Sequence, residues 1–376
     1  MSFKKKIVII GPFNTRGGRE IEAGFIATTL AQHYHVTLYS TEYLEKDNDI
    51  LSVDANLTIY RKKKRLNFSL FKKKIRNKRD GLLFKSLKSK DLNTLEQVIS
   101  KADLVLVLAQ VLSLHIDKII LLSKQYYKPV VFRTTGTIPL LQREFNGVKY
   151  DLKYLEIVDE FVHHTMQNAD SLSRVISHNY TVIDQSVVKE SELKTLRKKR
   201  SKISKFYTCS RLDKNKSVET VVKVFNSLSG TDLELNIYGD GYELERLKAL
   251  ATNKKIQFHG HVAHTTLFSK INENDCLIIS SKEEAGPYTA LEAMCLGIPV
   301  LSTKVGSMSI RFKELNNIWF AHNDTEGLKQ SIIQFSQMNK MEVEKIQSKL
   351  LNIYDTTYCK PIIEKKYLKV ISSILN

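Results

Sequence analysis

Residues that break regular structure are scarce in this chain of 376 residues. It has 15 glycines and 6 prolines, together 21 positions. That excludes a collagen-like repeat and a low-complexity chain. Cysteine is scarcer still, with Cys209, Cys276, Cys295 and Cys359 separated by 67, 19 and 64 residues. No Cys-x-x-Cys pair occurs, and the spacings fit no zinc module. Cys276 and Cys295 lie in apolar surroundings and read as small core residues. A reducing cytosol is the expected setting. Long apolar runs are also missing. After the basic start Met1–Lys6 only Ile7-Val8-Ile9-Ile10 follow, too short for the apolar core of a signal peptide. The greasiest stretch, Leu104–Leu122, is broken by Gln110, His115, Asp117 and Lys118. A soluble or membrane-peripheral protein is expected. What remains is a globular composition, 42% apolar and 26% charged, of a length that suits two domains.

Acidic residues are in short supply too. Asp and Glu number 40 against 58 Lys and Arg, a net charge of +18. A chain this basic is expected to meet polyanions: nucleic acid, anionic lipid or phosphorylated substrates. The charge is not spread evenly. Residues 61–90 hold fourteen Lys/Arg and one acid, Asp80, so this window alone carries +13. A smaller run is Arg197-Lys198-Lys199-Arg200, followed by Lys202 and Lys205. Within the first window Leu66, Leu70, Phe71 and Ile75 recur at helical spacing, and Leu82, Leu83, Phe84 and Leu87 continue past Gly81. The pattern predicts a basic amphipathic helix or helix pair that lies on an anionic membrane. Each Lys/Arg near such a surface contributes about 1 kcal/mol. Nucleic acid is not the expected partner, because no recognised nucleic-acid module accompanies the charge.

Strand-like and helix-like segments alternate along the first half. Ile7–Ile10 reads as a buried strand ending at Gly11-Pro12, and a helix is expected from about Arg19 to Gln32. Further strands are expected at 35–40, 57–60, 104–108 and 130–132, with helices near 92–101, 115–126 and 151–167. The chain turns polar over 186–203, where an inter-domain linker is expected. Alternation then restarts, with strands at 205–209, 233–238, 256–259, 276–280 and 300–303. Two α/β doubly wound parallel sheets in tandem imply a central cleft facing the strand C-termini, where ligands bind. The expected domains are 1–187, a linker at 188–204, 205–358, and a C-terminal helix at 359–376 packing back towards the first domain.

One segment carries the sharpest chemical signal. After a buried strand come Ser281, Glu284, Ala285, Gly286 and Pro287, then helix formers Tyr288–Leu296 including Thr289 and Glu292, and a stop at Gly297. A helix N-terminus there suits a phosphate, and the two carboxylates suit polyol hydroxyls. This string resembles the signature of the retaining glycosyltransferases of family four (glycosyl transferases group 1). Ser281, Glu284, Gly286, Leu291, Glu292, Ala293, Met294, Gly297, Pro299 and Val300 match it, while Ala285 stands for the usual glycine. The resemblance implies a GT-B fold of two Rossmann-like domains facing a central cleft. It also implies a nucleotide-sugar donor, a UDP- or GDP-sugar, with no cofactor and no metal.

Other stretches resemble the same family in the expected order. Ser210-Arg211-Leu212-Asp213-Lys214-Asn215-Lys216 is similar to its G-R-L-x-x-x-K, in which Arg and Lys grip the donor diphosphate. Ile237-Tyr238-Gly239-Asp240-Gly241 and Phe258-His259-Gly260-His261-Val262 are similar to its donor-domain loops. Arg16-Gly17-Gly18-Arg19-Glu20 is similar to its G-G-x-E, whose glycines allow close backbone approach to sugar or phosphate. On this resemblance Arg211, Lys216 and Glu284 are the expected catalytic residues. The expected donor-binding set is Gly17, Gly18, Gly239, His261, Val262, Ala285, Gly286, Pro287, Tyr288, Thr289 and Glu292. Where relatives often carry His-Asp, this chain has Phe132-Arg133-Thr134, so Arg133 is the candidate on the acceptor side. Asp47-Asn48-Asp49 and His259/His261/His264 are only weak metal patterns. The expected activity is sugar transfer to a hydroxyl of a lipid-linked or glycan acceptor, in cell-surface polysaccharide or glycolipid synthesis. Its expected place is the cytoplasmic face of the membrane. The alternatives are a transferase acting on protein or DNA, or a basic nucleic-acid-binding protein on a Rossmann-like scaffold.

Overall fold

A computed structural model describes residues 4–13, 17–42, 58–60, 89–113, 115–138, 144–145, 148–149, 152–273 and 275–376. The basic window 61–88 and the Asp47-Asn48-Asp49 pattern lie outside these residues. Contacts divide the chain into two compact units, Met1–Asp184 with Glu364–Asn376, and Gln185–Ile363.

The first unit alternates strands and helices. In order they are β1 (Lys6–Gly11), α1 (Gly18–Ala31), β2 (His35–Ser40), β3 (Thr58–Tyr60), α2 (Ser89–Ser100), β4 (Leu104–Ala109), α3 (Ile116–Gln125) and β5 (Val130–Thr134). A short pair, β6 (Glu144–Phe145) and β7 (Val148–Lys149), precedes α4 (Lys153–Glu156), β8 (Glu160–His163), α5 (Met166–Ser173) and β9 (Tyr180–Val182). Seven of the strands form one parallel sheet in the order β3-β2-β1-β4-β5-β8-β9. Every residue of β4 is buried, which explains why its sequence is an unbroken apolar run rather than an alternation. The helix expected over 151–167 is instead the four-residue α4 followed by β8. Pairing on both sides, with β5 and β9, makes a strand of a stretch whose apolar residues suit either state.

β5 runs two residues further than expected because Arg133 and Thr134 find buried partners. Arg133 is fully buried. Its Nε donates to Glu22 Oε1 at 2.6 Å, and its Nη2 donates to His164 Nδ1 at 2.8 Å. Tyr367 packs beneath the guanidinium and donates to the same Glu22 oxygen at 3.3 Å. Tyr367 lies on α14 (Lys360–Leu375), whose residues from Glu364 onward belong to this unit. Beside this cluster, His163 Nε2 meets His178 Nε2 at 3.0 Å. Burial holds the His163 imidazole down at about 3, with His178 and Arg133 adding to the shift.

The second unit begins with α6 (Glu190–Thr195) and continues through β10 (Lys205–Cys209), α7 (Val218–Ser227), β11 (Glu234–Tyr238), α8 (Leu244–Leu250), β12 (Ile256–Gly260), α9 (His264–Asn272), β13 (Cys276–Ile279), α10 (Tyr288–Leu296) and β14 (Val300–Ser302). It ends with α11 (Met308–Arg311), α12 (Thr325–Ser336), α13 (Lys340–Ile353), a π-helical turn (Tyr354–Tyr358) and the start of α14. Its five parallel strands run in the order β12-β11-β10-β13-β14. Residues 188–204, expected as a linker, are folded into this unit. Leu193 and Ile203 sit in its core, and Arg197 grips Asp355 bidentately at 2.9 and 3.0 Å. Part of the polar composition that suggested a linker goes into ion pairs, Lys194 and Arg197 with Asp355 and Arg200 with Asp275, while Lys198, Lys199 and Lys202 are exposed. Among the described residues no helix is long and apolar enough to cross a membrane.

Candidate functional site

Strand order in the second sheet reverses between β10 and β13, its neighbours on either side running outward in opposite directions. Loops leaving the C-terminal ends of two such strands part to opposite faces, and ligands bind in the crevice so formed. Here those loops are 210–217, after β10, and 280–287, after β13. They carry Arg211 and Lys216 on one side and Glu284 on the other.

The first loop is tightly wound. Asp213 Oδ1 accepts from the backbone N–H of Asn215 at 3.0 Å and of Lys216 at 3.2 Å, an Asx turn that ends at α7. The other Asp213 oxygen accepts from Arg211 Nε at 2.8 Å. The two loops are laced together. Lys282 N donates to Asn215 O at 2.7 Å, Asn215 Nδ2 to Glu283 O at 2.8 Å, and Ser280 Oγ to Lys216 O at 2.8 Å. This lacing brings Lys216 Nζ onto Glu284 Oε1 as an ion pair, across 68 positions of sequence. Ser281 Oγ donates to the same oxygen at 3.0 Å. Both side chains are largely but not wholly buried, at 17% and 15% exposure, so a ligand can still reach them. Arg211 is the contrast, with 76% of its side chain exposed.

Gly239 earns its place by close approach rather than by a visible ligand contact. It has φ +131°, and a Cβ there would lie 1.8 Å from the Ser210 carbonyl oxygen. A side chain would push away the loop that carries Arg211. The loop ahead of α10 is held from behind by residues 306–311. Ser307 N donates to Ala285 O at 2.7 Å, and Arg311 Nη1 donates to Pro287 O at 2.8 Å. Gly306 (φ +49°) allows this contact, since its Cβ would lie 2.2 Å from Ala285 O. Pro287 is the N-cap of α10 and makes no side-chain cap, so the helix opens with its dipole towards the loop. Tyr288 is buried and Thr289 half-buried in that first turn, and Gly286 is half-buried just before it.

Glu292, in the second turn of α10, is buried. It lies near Cys209 at the end of β10, whose thiol is pushed up to about 12 by burial first and the Glu292 carboxylate second. His261 is exposed and Val262 half-buried in the loop between β12 and α9. His259 is bound to Asn236 at 2.7 Å and stacked on Tyr238. Gly17 is the N-cap of α1 in the first unit and Gly18 its first residue. Arg133 is buried among Glu22, His164 and Tyr367 and presents no surface.

A pocket of about 750 Å³ on the second unit is lined by Lys214, Lys223, Arg246 and Lys282 together with Asp213 and Glu219. None of the expected site residues lines it. Ser281, Asn215, Asp213, Gly306 and Arg311 support the site without having been singled out as site residues. Ser281 was visible in the signature itself. Arg311 carried no signal, because nothing in local spacing ties position 311 to the Pro287 carbonyl.

The family model for glycosyl transferases group 1 matches residues 190–349, all within the second unit. No curated protein matches the chain. Solved structures do. The glycosyltransferase from Rickettsia africae ESF-5 is 16% identical with a TM-score of 0.73, covering 100% of both chains. Anabaena HepE, solved with UDP and glucose, is 14% identical with a TM-score of 0.71, covering 98% of this chain and 100% of its own. The pneumococcal O-GlcNAc transferase GtfA, solved with UDP and GlcNAc, is 13% identical with a TM-score of 0.71 over 100% of both chains. At these identities the likeness speaks for the fold, which is that of the GT-B glycosyltransferases. The match of residues 190–349 to the glycosyl transferases group 1 model, together with this fold, supports a glycosyltransferase.

Proposed function

We propose that this protein is a retaining glycosyltransferase that moves a sugar from a nucleotide-sugar to an acceptor hydroxyl. The observation that carries the reading is the meeting of Lys216 and Glu284 at the switch point of the second sheet, beside the N-terminus of α10. A departing nucleoside diphosphate gains negative charge as its bond to the sugar breaks. Lys216, the exposed Arg211 and the α10 dipole are fixed where that charge would develop. Glu284 would accept hydrogen bonds from donor-sugar hydroxyls, and Glu292 from the nucleotide ribose. We take the route to be front-face. In that route a donor phosphate oxygen takes the acceptor proton while the hydroxyl oxygen bonds to the anomeric carbon. The diphosphate leaves with the bond electrons.

A UDP-sugar is the first donor to try, because HepE and GtfA were solved with UDP. A thermal-shift screen across UDP-, GDP- and ADP-sugars is expected to raise the melting temperature with one nucleotide class. No shift with any of them would overturn the assignment. For the acceptor, the +13 charge of residues 61–90 supports a glycan or lipid-linked substrate at the inner face of the membrane. WaaB, a lipopolysaccharide outer core galactosyltransferase, has a similar structure at TM-score 0.64 and 17% identity, covering 98% of this chain and 99% of its own. Co-sedimentation with vesicles containing anionic lipid is expected at low salt and lost at high salt. Pelleting with DNA but not with vesicles would instead favour a nucleic-acid partner.

A further inference from the structure

The ion pair between Lys216 and Glu284 has a consequence for which nucleotide the site prefers. Glu284 Oε1 accepts from Lys216 Nζ and from Ser281 Oγ at 3.0 Å. The backbones behind both side chains are tied by the Lys282–Asn215, Asn215–Glu283 and Ser280–Lys216 hydrogen bonds. The loops therefore hold their spacing, and any exchange of partners is left to the side chains. A diphosphate that takes Lys216 must separate it from Glu284. That leaves an anionic carboxylate, largely out of water, close to an anionic ligand, which is unfavourable unless the carboxylate gains new donors. An intact nucleotide-sugar brings hydroxyl donors into the same site. The spent nucleoside diphosphate has lost those sugar hydroxyls, and its ribose hydroxyls are assigned to Glu292.

We propose that Glu284 acts as a discriminator between donor and spent nucleotide. It holds Lys216 in the empty site, yields it to a diphosphate only when sugar hydroxyls replace the lost partner, and so weakens retention of the free nucleotide after transfer. This rests on the nucleotide-sugar reading above, and one experiment separates the two. Calorimetric titration of the full-length protein uses three pairs: UDP with UDP-glucose, GDP with GDP-mannose, and ADP with ADP-glucose. The comparison is made on the pair that the native protein binds. Glu284→Gln keeps the shape and removes the charge. It is expected to bind the free nucleoside diphosphate about tenfold more tightly than the native protein, the scale of a partly buried ion pair. Its affinity for the sugar conjugate stays level or falls. Glu284→Ala serves as the second variant, with melting temperature as the check on folding. Free-nucleotide binding no tighter than native in both variants overturns the proposal, as does an equal gain for nucleotide and conjugate. A native protein that binds none of the six ligands overturns the nucleotide-sugar reading itself.

Discussion

Replacing Lys216 by alanine is expected to lower donor turnover at least ~100-fold, the scale of removing one fixed group that stabilises developing charge. Lys216 suits that role by its anchorage as much as by its charge. Its backbone N–H is bound by Asp213 and its carbonyl by Ser280, so the ammonium starts from a fixed point at the switch point of the sheet. The fold is expected to survive the change. The ion pair with Glu284 is largely but not wholly buried, so its loss is expected to cost about 1–2 kcal/mol, between an exposed and a fully buried pair. Initial rates of sugar transfer or donor hydrolysis, measured beside a melting curve, check both halves. Turnover close to that of the native protein would remove Lys216 from the chemistry and with it the proposed site.

Arg133→Met is expected to act the other way, on stability before activity. The guanidinium is fully buried and faces Glu22, itself 2% exposed. Removing the cation leaves a buried carboxylate without its counter-charge and strips a donor from His164. Breaking one partner of a buried pair costs about 3–5 kcal/mol. In a unit of this size that lowers the melting temperature by about 6–20 °C. Arg133→Lys is expected to recover little, because one ammonium cannot serve Glu22 and His164 with the geometry of a planar fork. A variant that melts like the native protein but shows a raised KM for acceptor would return Arg133 to the acceptor role expected from the sequence.

Arg133 also shows where sequence reasoning stops. Its position after a buried strand invites a ligand-facing role, since chemistry gathers at strand C-termini. Its actual partners are Glu22 from α1 and Tyr367 from α14, 111 and 234 positions away, and no local pattern links them. Residues 188–204 show the same limit. Their charge looks like solvent-facing polarity until Asp355 and the Cys295 carbonyl are seen to receive Arg197. The strand β8 was hidden for a related reason, because a short segment paired on both sides needs no alternation of its own.

Local pattern along the chain was enough to specify the alternation of strands and helices, the parallel sheets that follow from it, and the loop–helix segment 281–297. These depend on local spacing: apolar runs, glycine stops and helix formers within a few turns of one another. The +18 charge and its concentration in residues 61–90 are likewise legible there. That Lys216 and Glu284 meet, that Ser281 and the 306–311 segment brace them, and that Arg133 is buried in a core emerge only from the folded chain. Those outcomes depend on strand order. β10 and β13 are neighbours in space though far apart in the chain, and it is their adjacency that brings the charges of their two loops together.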